Sequence, residues 1–161
     1  MSFSLRTAGH GDLPQVAELM RGYQRWVHEA LGVDLCFQDF EAELAGLPGA
    51  YVLPRGQLWL ACDDVSHTAL GVIAVKPLTD TSCEMKRLWV HDSAKGRGVG
   101  RALARTAIDF GRDAGYADMK LDTLRNRMPA AISLYRSVGF VETTAYVHNP
   151  EPDVLYMKLD L

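Results

Sequence analysis

Residues 88–101 read Leu-Trp-Val-His-Asp-Ser-Ala-Lys-Gly-Arg-Gly-Val-Gly-Arg, with Gly96, Gly98 and Gly100 alternating just ahead of an apolar helical pattern. Glycines let the backbone come close to a ligand, and at a helix N-terminus several N–H groups point outward, where positive partial charge favours a phosphate. Such a dipole contributes about 0.3–1 kcal/mol at an exposed site, so several amides would have to act together with Arg97 or Arg101. The alternative is a bare strand-to-helix turn. Two other phosphate patterns are excluded. A P-loop needs Lys followed by Ser or Thr after its last glycine, where Arg101-Ala102 stands, and a dinucleotide fingerprint starting at Gly96 needs Gly or Ala at position 101. His91 and Asp92 adjoin the turn, but neighbouring strand-end side chains diverge, which favours a solvated loop over a catalytic pair. Cys83 has no basic partner fixed beside it and reads as strand packing.

The elements that must hold this turn follow from periodicity. Residues 3–7 alternate as a strand, and Asp12 with Gln15 is placed to form a capping box for the next helix. On that helix Leu13, Val16, Ala17, Met20, Val27 and Leu31 share a face, and Gly32 ends it. Phe37, Phe40, Leu44 and Leu47 form a second helical stripe that stops at Pro48-Gly49, and 49–56 is a loop. Three apolar runs, 57–62, 69–76 and 83–91, have short links and form an antiparallel meander, which argues against a Rossmann unit. Strand parity puts Glu84, Lys86, Leu88 and Val90 on one face and Met85, Arg87 and Trp89 on the other. A helix over 99–114 carries Leu103, Ala107, Phe110 and Ala114 on one side, with Gly115 as its cap. Met119, Leu121 and Thr123 alternate as a strand. Pro129 opens a helix that Gly139 closes, and 140–143 and 155–161 return to strand.

At 161 residues and 48% hydrophobic the chain suits one domain over 1–161, able to bury roughly 70% of its unfolded surface. Three unpaired-looking cysteines, Cys36, Cys62 and Cys83, read as reduced thiols of a cytoplasmic protein. The scattered histidines make no metal cluster. The N-terminus has no leader pattern, and no run reaches the roughly 18 apolar residues of a membrane span. Net charge is −3 with 17 basic and 20 acidic residues intermixed, so nucleic acid is a poor default partner and a cationic substrate is compatible.

Lys95-Gly96-Arg97-Gly98-Val99-Gly100 resembles the Arg/Gln-x-x-Gly-x-Gly/Ala signature of the GNAT superfamily of N-acetyltransferases, with Lys at the first position. Ala131-Ile132-Ser133-Leu134-Tyr135-Arg136-Ser137-Val138-Gly139-Phe140 is similar to that family's A-x-x-L-Y-x-x-x-G-F. The two blocks stand in the family's order, and the element string matches over the whole chain. The resemblance implies an α/β fold of the α+β type: a mixed, mostly antiparallel sheet of six to seven strands with about four helices, splayed between the fourth and fifth strands. It also implies acetyl-CoA as co-substrate and transfer of its acetyl group to a primary amine by direct attack on the thioester. The pantetheine arm would bond the backbone around Leu88, Trp89 and Val90, and Lys95, Gly96, Arg97, Gly98, Val99, Gly100 and Arg101 would hold the pyrophosphate.

By the same resemblance Tyr135 stands near the coenzyme sulfur, able to protonate the leaving thiolate; its other reading is a packed helix aromatic. An amine of pKa about 10.4 costs roughly 4–5 kcal/mol to neutralise at pH 7, so a proton acceptor helps. Glu84, 11 residues before Lys95, is at the spacing where some members keep a glutamate base; its other reading is a solvated strand start. The asparagine usual seven residues before the tyrosine is replaced by Met128, which leaves Asn126 as the nearby candidate for that coenzyme contact. The acceptor pocket of the family falls here on Tyr23, Trp26, His28, Asp34, Asp39, Tyr146 and His148. Its acceptor is a small amine or a protein amine, and a homodimer through the C-terminal strands is compatible. Residues 37–54 and 146–150 are similar to a bacterial group of members without a settled substrate. A non-catalytic acyl-CoA sensor and an interaction domain are the competing readings.

Overall fold

The computed structural model describes residues 2–34 and 39–161, so Cys36 and Phe37 lie outside the described residues. β1 (Phe3–Thr7) leads to α1 (Leu13–Leu31) and α2 (Phe40–Ala45), then to β2 (Gln57–Asp63), β3 (Ala69–Pro77) and β4 (Ser82–Val90). α3 (Val99–Asp113), β5 (Asp118–Leu124), α4 (Pro129–Ser137), β6 (Val141–Thr143) and β7 (Val154–Asp160) follow. The strands form one seven-stranded sheet ordered β1-β2-β3-β4-β5-β7-β6, antiparallel except between β4 and β5. Among the described residues this is the expected mixed sheet with four α-helices.

The apolar stripes of α1 and α3 cover opposite faces of the sheet, as two amphipathic helices against one sheet must. Val16, Met20 and Val27 pack with Phe40, Leu60 and Val72 on one side. Leu103 and Ala107 pack with Ile73, Met119 and Leu121 on the other. With both faces covered, β2 and β3 are buried almost throughout, which is why they read as continuous apolar runs. Among the described residues no helix is long and apolar enough to cross a membrane.

The Asp12–Gln15 capping box does not form. Asp12 instead accepts the Gly9 N–H at 2.8 Å and two bonds from the Arg6 guanidinium, at 2.5 and 2.7 Å. A bidentate charge-assisted pair outcompetes a neutral cap. α1 therefore starts without a side-chain cap, with Pro14 in its first turn, where the missing N–H costs nothing.

β4 carries the feature that opens the molecule. Val72 faces Trp89 and Ala74 faces Lys86, so β4 has one residue more than β3 over this stretch. Arg87 takes φ +60°, uncommon for a residue with a side chain. The bulge overturns simple parity: Cys83 and Met85, then Leu88 and Val90, pack toward α3, whereas Trp89 packs toward α1. β4 pairs with β5 only from Ser82 to Glu84, opposite Asp118 to Lys120, and beyond that the two strands part. The expected splay lies there.

Gly56, ahead of β2, has no room for a side chain. A Cβ would collide with the Ala50 carbonyl and stand 2.7 Å from that of Val75, both of them backbone. Gly56→Ala is expected to cost roughly 1–3 kcal/mol, seen as a lower urea midpoint at unchanged m.

Candidate functional site

Where β4 and β5 part, a cleft of about 590 Å³ opens, within the range of small-molecule sites. Its walls are the bulged end of β4, the turn into α3, Leu121 to Thr123 of β5 and the start of α4, together with Tyr23 and Trp26 of α1.

Along the turn, Gly96 and Gly98 take φ +76° and +80°, and a Cβ on either would meet nothing within 4 Å. The backbone bends here in a left-handed way that leaves an open concavity. Gly98 caps the 15-residue α3, whose first intrahelical bond is Ala102 N–H to Gly98 O at 3.0 Å, so the N–H groups of Val99, Gly100 and Arg101 have no helical acceptor. Lys95 pairs with Asp92 at 2.6 Å and lies over the Trp89 ring, 5.3 Å from its centroid. Arg101 donates to Ser137 Oγ at 3.2 Å.

Leu88, Trp89, Val90, Lys95, Gly96, Gly98, Val99, Gly100 and Arg101 thus all border the cleft. Arg97 does not. It stands 4.0 Å from the buried Asp63 at the end of β2, the alternate side of the turn from its flanking glycines. His91 and Asp92 go separate ways: the His91 ring bonds Ser93, and Asp92 bonds Lys95.

Tyr135 is on the cleft wall, its ring edge-to-face with Phe140 at 6.0 Å. Burial, with smaller effects from Tyr23 and Asp122, pushes its hydroxyl well above the usual tyrosine value, so it remains a proton donor at neutral pH. Glu84 is elsewhere. It is 2% exposed, off the cleft wall, and accepts the Tyr146 O–H at 2.6 Å, with Lys76 at 3.7 Å and Lys86 at 3.9 Å. Burial first, then the Glu84 charge, push the Tyr146 hydroxyl up.

Asn126 is exposed and away from the cleft, its N–H bonded to Asp153 at 3.2 Å. Arg127 and Met128 line the wall in its stead. Arg127 is fixed by Glu151, Asp153 and the Leu31 carbonyl. Of the acceptor-pocket residues, Tyr23 and Trp26 reach the cleft wall, while His28, Asp34, Asp39, Tyr146 and His148 do not. Lys86 and Asp122 line the cleft without having been singled out from sequence. Burial pushes the Lys86 ammonium down, and Glu84 works the other way.

Cys83 is fully buried, and burial, reinforced by Asp118, pushes its thiol up to about 12. The thiolate is the reactive form. In the folded protein Cys83 is expected to escape iodoacetamide at pH 8 and to be labelled after unfolding, as read by peptide mass mapping. Among the described residues no three His, Cys, Asp or Glu side chains gather as a metal site.

A profile of the Acetyltransferase (GNAT) family matches residues 13–140. Over 139 residues the chain is 41% identical to an uncharacterized N-acetyltransferase of Schizosaccharomyces pombe, spanning 86% of this chain and 83% of that one. Because that relative is fungal, the likeness is not confined to a bacterial group. The fold is similar to an acetyltransferase of the GNAT family from Staphylococcus aureus, with TM-score 0.79 at 16% identity over 99% of both chains. It is equally similar to the PaiA N-acetyltransferase from Thermoplasma acidophilum in complex with coenzyme A, with TM-score 0.78 at 18% identity over 100% of both.

Proposed function

This chain belongs to the GNAT family of acetyltransferases, and from that premise we propose that residues 1–161 act as one acetyl-CoA-binding domain that acetylates a primary amine. The observation that carries the reading is Tyr135 on the wall of the same cleft that the glycine turn borders. The residues present fit the coenzyme. Open left-handed glycines and outward α3 amides suit its pyrophosphate, with Lys95 and Arg101 at the rim, and the unpaired end of β4 at Leu88 and Val90 offers backbone groups to its amide-bearing arm.

In the reaction proposed, the amine nitrogen attacks the thioester carbonyl carbon, the C–N bond forms and the C–S bond breaks. The sulfur takes the proton of Tyr135, and the N–H proton that the nitrogen sheds as the amide forms restores that hydroxyl. Glu84 enters only at second hand: it is off the cleft wall, its Oε2 accepts the Tyr146 O–H, and the neighbour of it that borders the cleft is Lys86, at 3.9 Å. Tyr23 and Trp26 add aromatic side chains to the cleft wall, suited to a cationic acceptor, whether a small amine or a protein amine.

The sealed position of Glu84 favours a second reading, a non-catalytic acyl-CoA sensor. Release of free thiol from acetyl-CoA across a panel of primary amines separates the two. Amine-dependent release is expected for the enzyme, and binding without such release is expected for the sensor.

A further inference from the structure

Among the described residues one carboxylate borders the cleft, and it is not Glu84. Asp122, on β5, lines the wall together with Tyr135 and is half-buried. Its Oδ2 accepts Asn149 Nδ2–H at 3.1 Å. Asn149 Oδ1 in turn accepts the Glu151 N–H at 3.1 Å, which decides which end of the amide faces Asp122. Glu151 is itself tied to Arg127 on the cleft wall. One carboxylate oxygen is thereby fixed, and Oδ1 is left for a donor in the cleft.

Lys86 from β4, Tyr23 from α1 and Tyr135 from α4 share the cleft wall with Asp122, Asn149 from the β6–β7 link bonds it, Tyr156 stands opposite it on β7, and Tyr146 of that link feels its charge. The tyrosines are all held above their ordinary range and are neutral at pH 7, and burial works against the charge of Lys86. Asp122 therefore shares the cleft wall with the neutral hydroxyls of Tyr23 and Tyr135, the latter being the one the transfer uses.

We propose that Asp122 takes the proton of the acceptor ammonium, with Asn149 as its positioning residue; this rests on the acetyl-transfer reading. One N–H of the ammonium gives its proton to the carboxylate, the freed lone pair attacks the thioester carbon, and the carboxylic acid returns the proton to solvent after the amide leaves. The sulfur's proton still comes from Tyr135, whose hydroxyl is restored by the second N–H proton that the nitrogen sheds as the amide forms and the C–S bond breaks.

Two probes separate this role from a structural one: n-butylamine, which is protonated at neutral pH, and hydroxylamine, which is neutral there. In single turnovers from bound acetyl-CoA, Asp122→Asn is expected to lower the butylamine rate about 100-fold or more relative to the hydroxylamine rate. The butylamine rate should recover as rising pH deprotonates the amine in solution. Asn149→Ala should move the ratio the same way by less, and it carries the test if Asp122→Asn fails to fold or to bind acetyl-CoA. Equal falls for both probes, an unchanged ratio, a ratio that moves with Glu84→Gln and not with Asp122→Asn, or a wild type that acetylates hydroxylamine alone at every pH would each overturn the proposal. A wild type that binds acetyl-CoA and acetylates neither probe overturns the acetyl-transfer reading itself.

Discussion

Tyr135→Phe lowers single-turnover acetyl transfer by about 10²–10³-fold and leaves acetyl-CoA affinity unchanged, if the hydroxyl supplies the proton that the departing sulfur takes. The substitution removes one oxygen. The ring keeps its edge-to-face contact with Phe140 and its place on the cleft wall, so neither the turn that receives the pyrophosphate nor the parted strands should move. Burial holds the hydroxyl protonated throughout the neutral range, so the rate should show no loss of this acid between pH 7 and 9. Rapid mixing of the acetyl-CoA complex with amine, followed by the release of thiol, reads the effect. A variant as fast as the wild type would mean that solvent protonates the sulfur and that Tyr135 is a packing residue.

Arg87→Ala is expected to cost about 3–5 kcal/mol of folding free energy, the range for breaking a buried ion pair from one side. That is a large part of the roughly 5–15 kcal/mol a domain has. The Arg87 side chain is 3% exposed, donates to both Glu43 oxygens at 2.8 and 2.9 Å, and lies over the Phe40 ring at 4.8 Å. These contacts pin the bulge of β4 to α2. Removing the guanidinium strands the Glu43 charge in a partly buried place.

The sign with pH follows from Glu43. Burial pushes its carboxyl up, but the bonds from Arg87 outweigh that and hold it below the ordinary 4.5. A depressed carboxyl contributes stability that is present above its unfolded value and is lost as pH falls through its folded value. Without Arg87 burial leaves that carboxyl raised, so the gap between wild type and Arg87→Ala in urea unfolding should be full at neutral pH and narrow as pH falls through the carboxylate range. A gap under about 1 kcal/mol at pH 7 would mean the pair behaves as a solvated one.

The order of elements, the mixed sheet and the glycine turn were legible because each rests on local signals. Apolar periods of 3.6 and 2, Gly32 and Gly139 in left-handed closing turns, and Pro129 opening a helix all act within a few residues of themselves. The bulge at Arg87 was not legible. It is held by Glu43, 44 residues away, and nothing in an alternating strand marks where an extra residue will be accommodated. Leu88 and Val90 consequently sit on the face opposite to the one simple parity gives them.

Asp122 was hidden for a related reason. On a strand paired along both edges it would read as an ordinary polar position between Leu121 and Thr123. It meets a cleft only because β4 leaves β5 after Glu84. Glu84 shows the converse: its spacing to the glycine turn suited a base, and the Tyr146 hydroxyl, brought over by the β6–β7 link, closes it off. Asn126 and Arg97 were placed by motif spacing. Neither borders the cleft: the Asn126 backbone N–H is bonded to Asp153, and the Arg97 guanidinium stands 4.0 Å from Asp63, aspartates distant in sequence in both cases.

Calorimetric titration of the folded protein with acetyl-CoA reads whether the cleft between β4 and β5 receives the coenzyme. Gly98→Glu, which puts bulk, charge and a left-handed strain into the open concavity of the turn, serves as the control, with circular dichroism to verify its fold. Saturable one-to-one binding to the wild type, abolished in the folded control, is expected. A well-folded wild type that takes up no acetyl-CoA would contradict it.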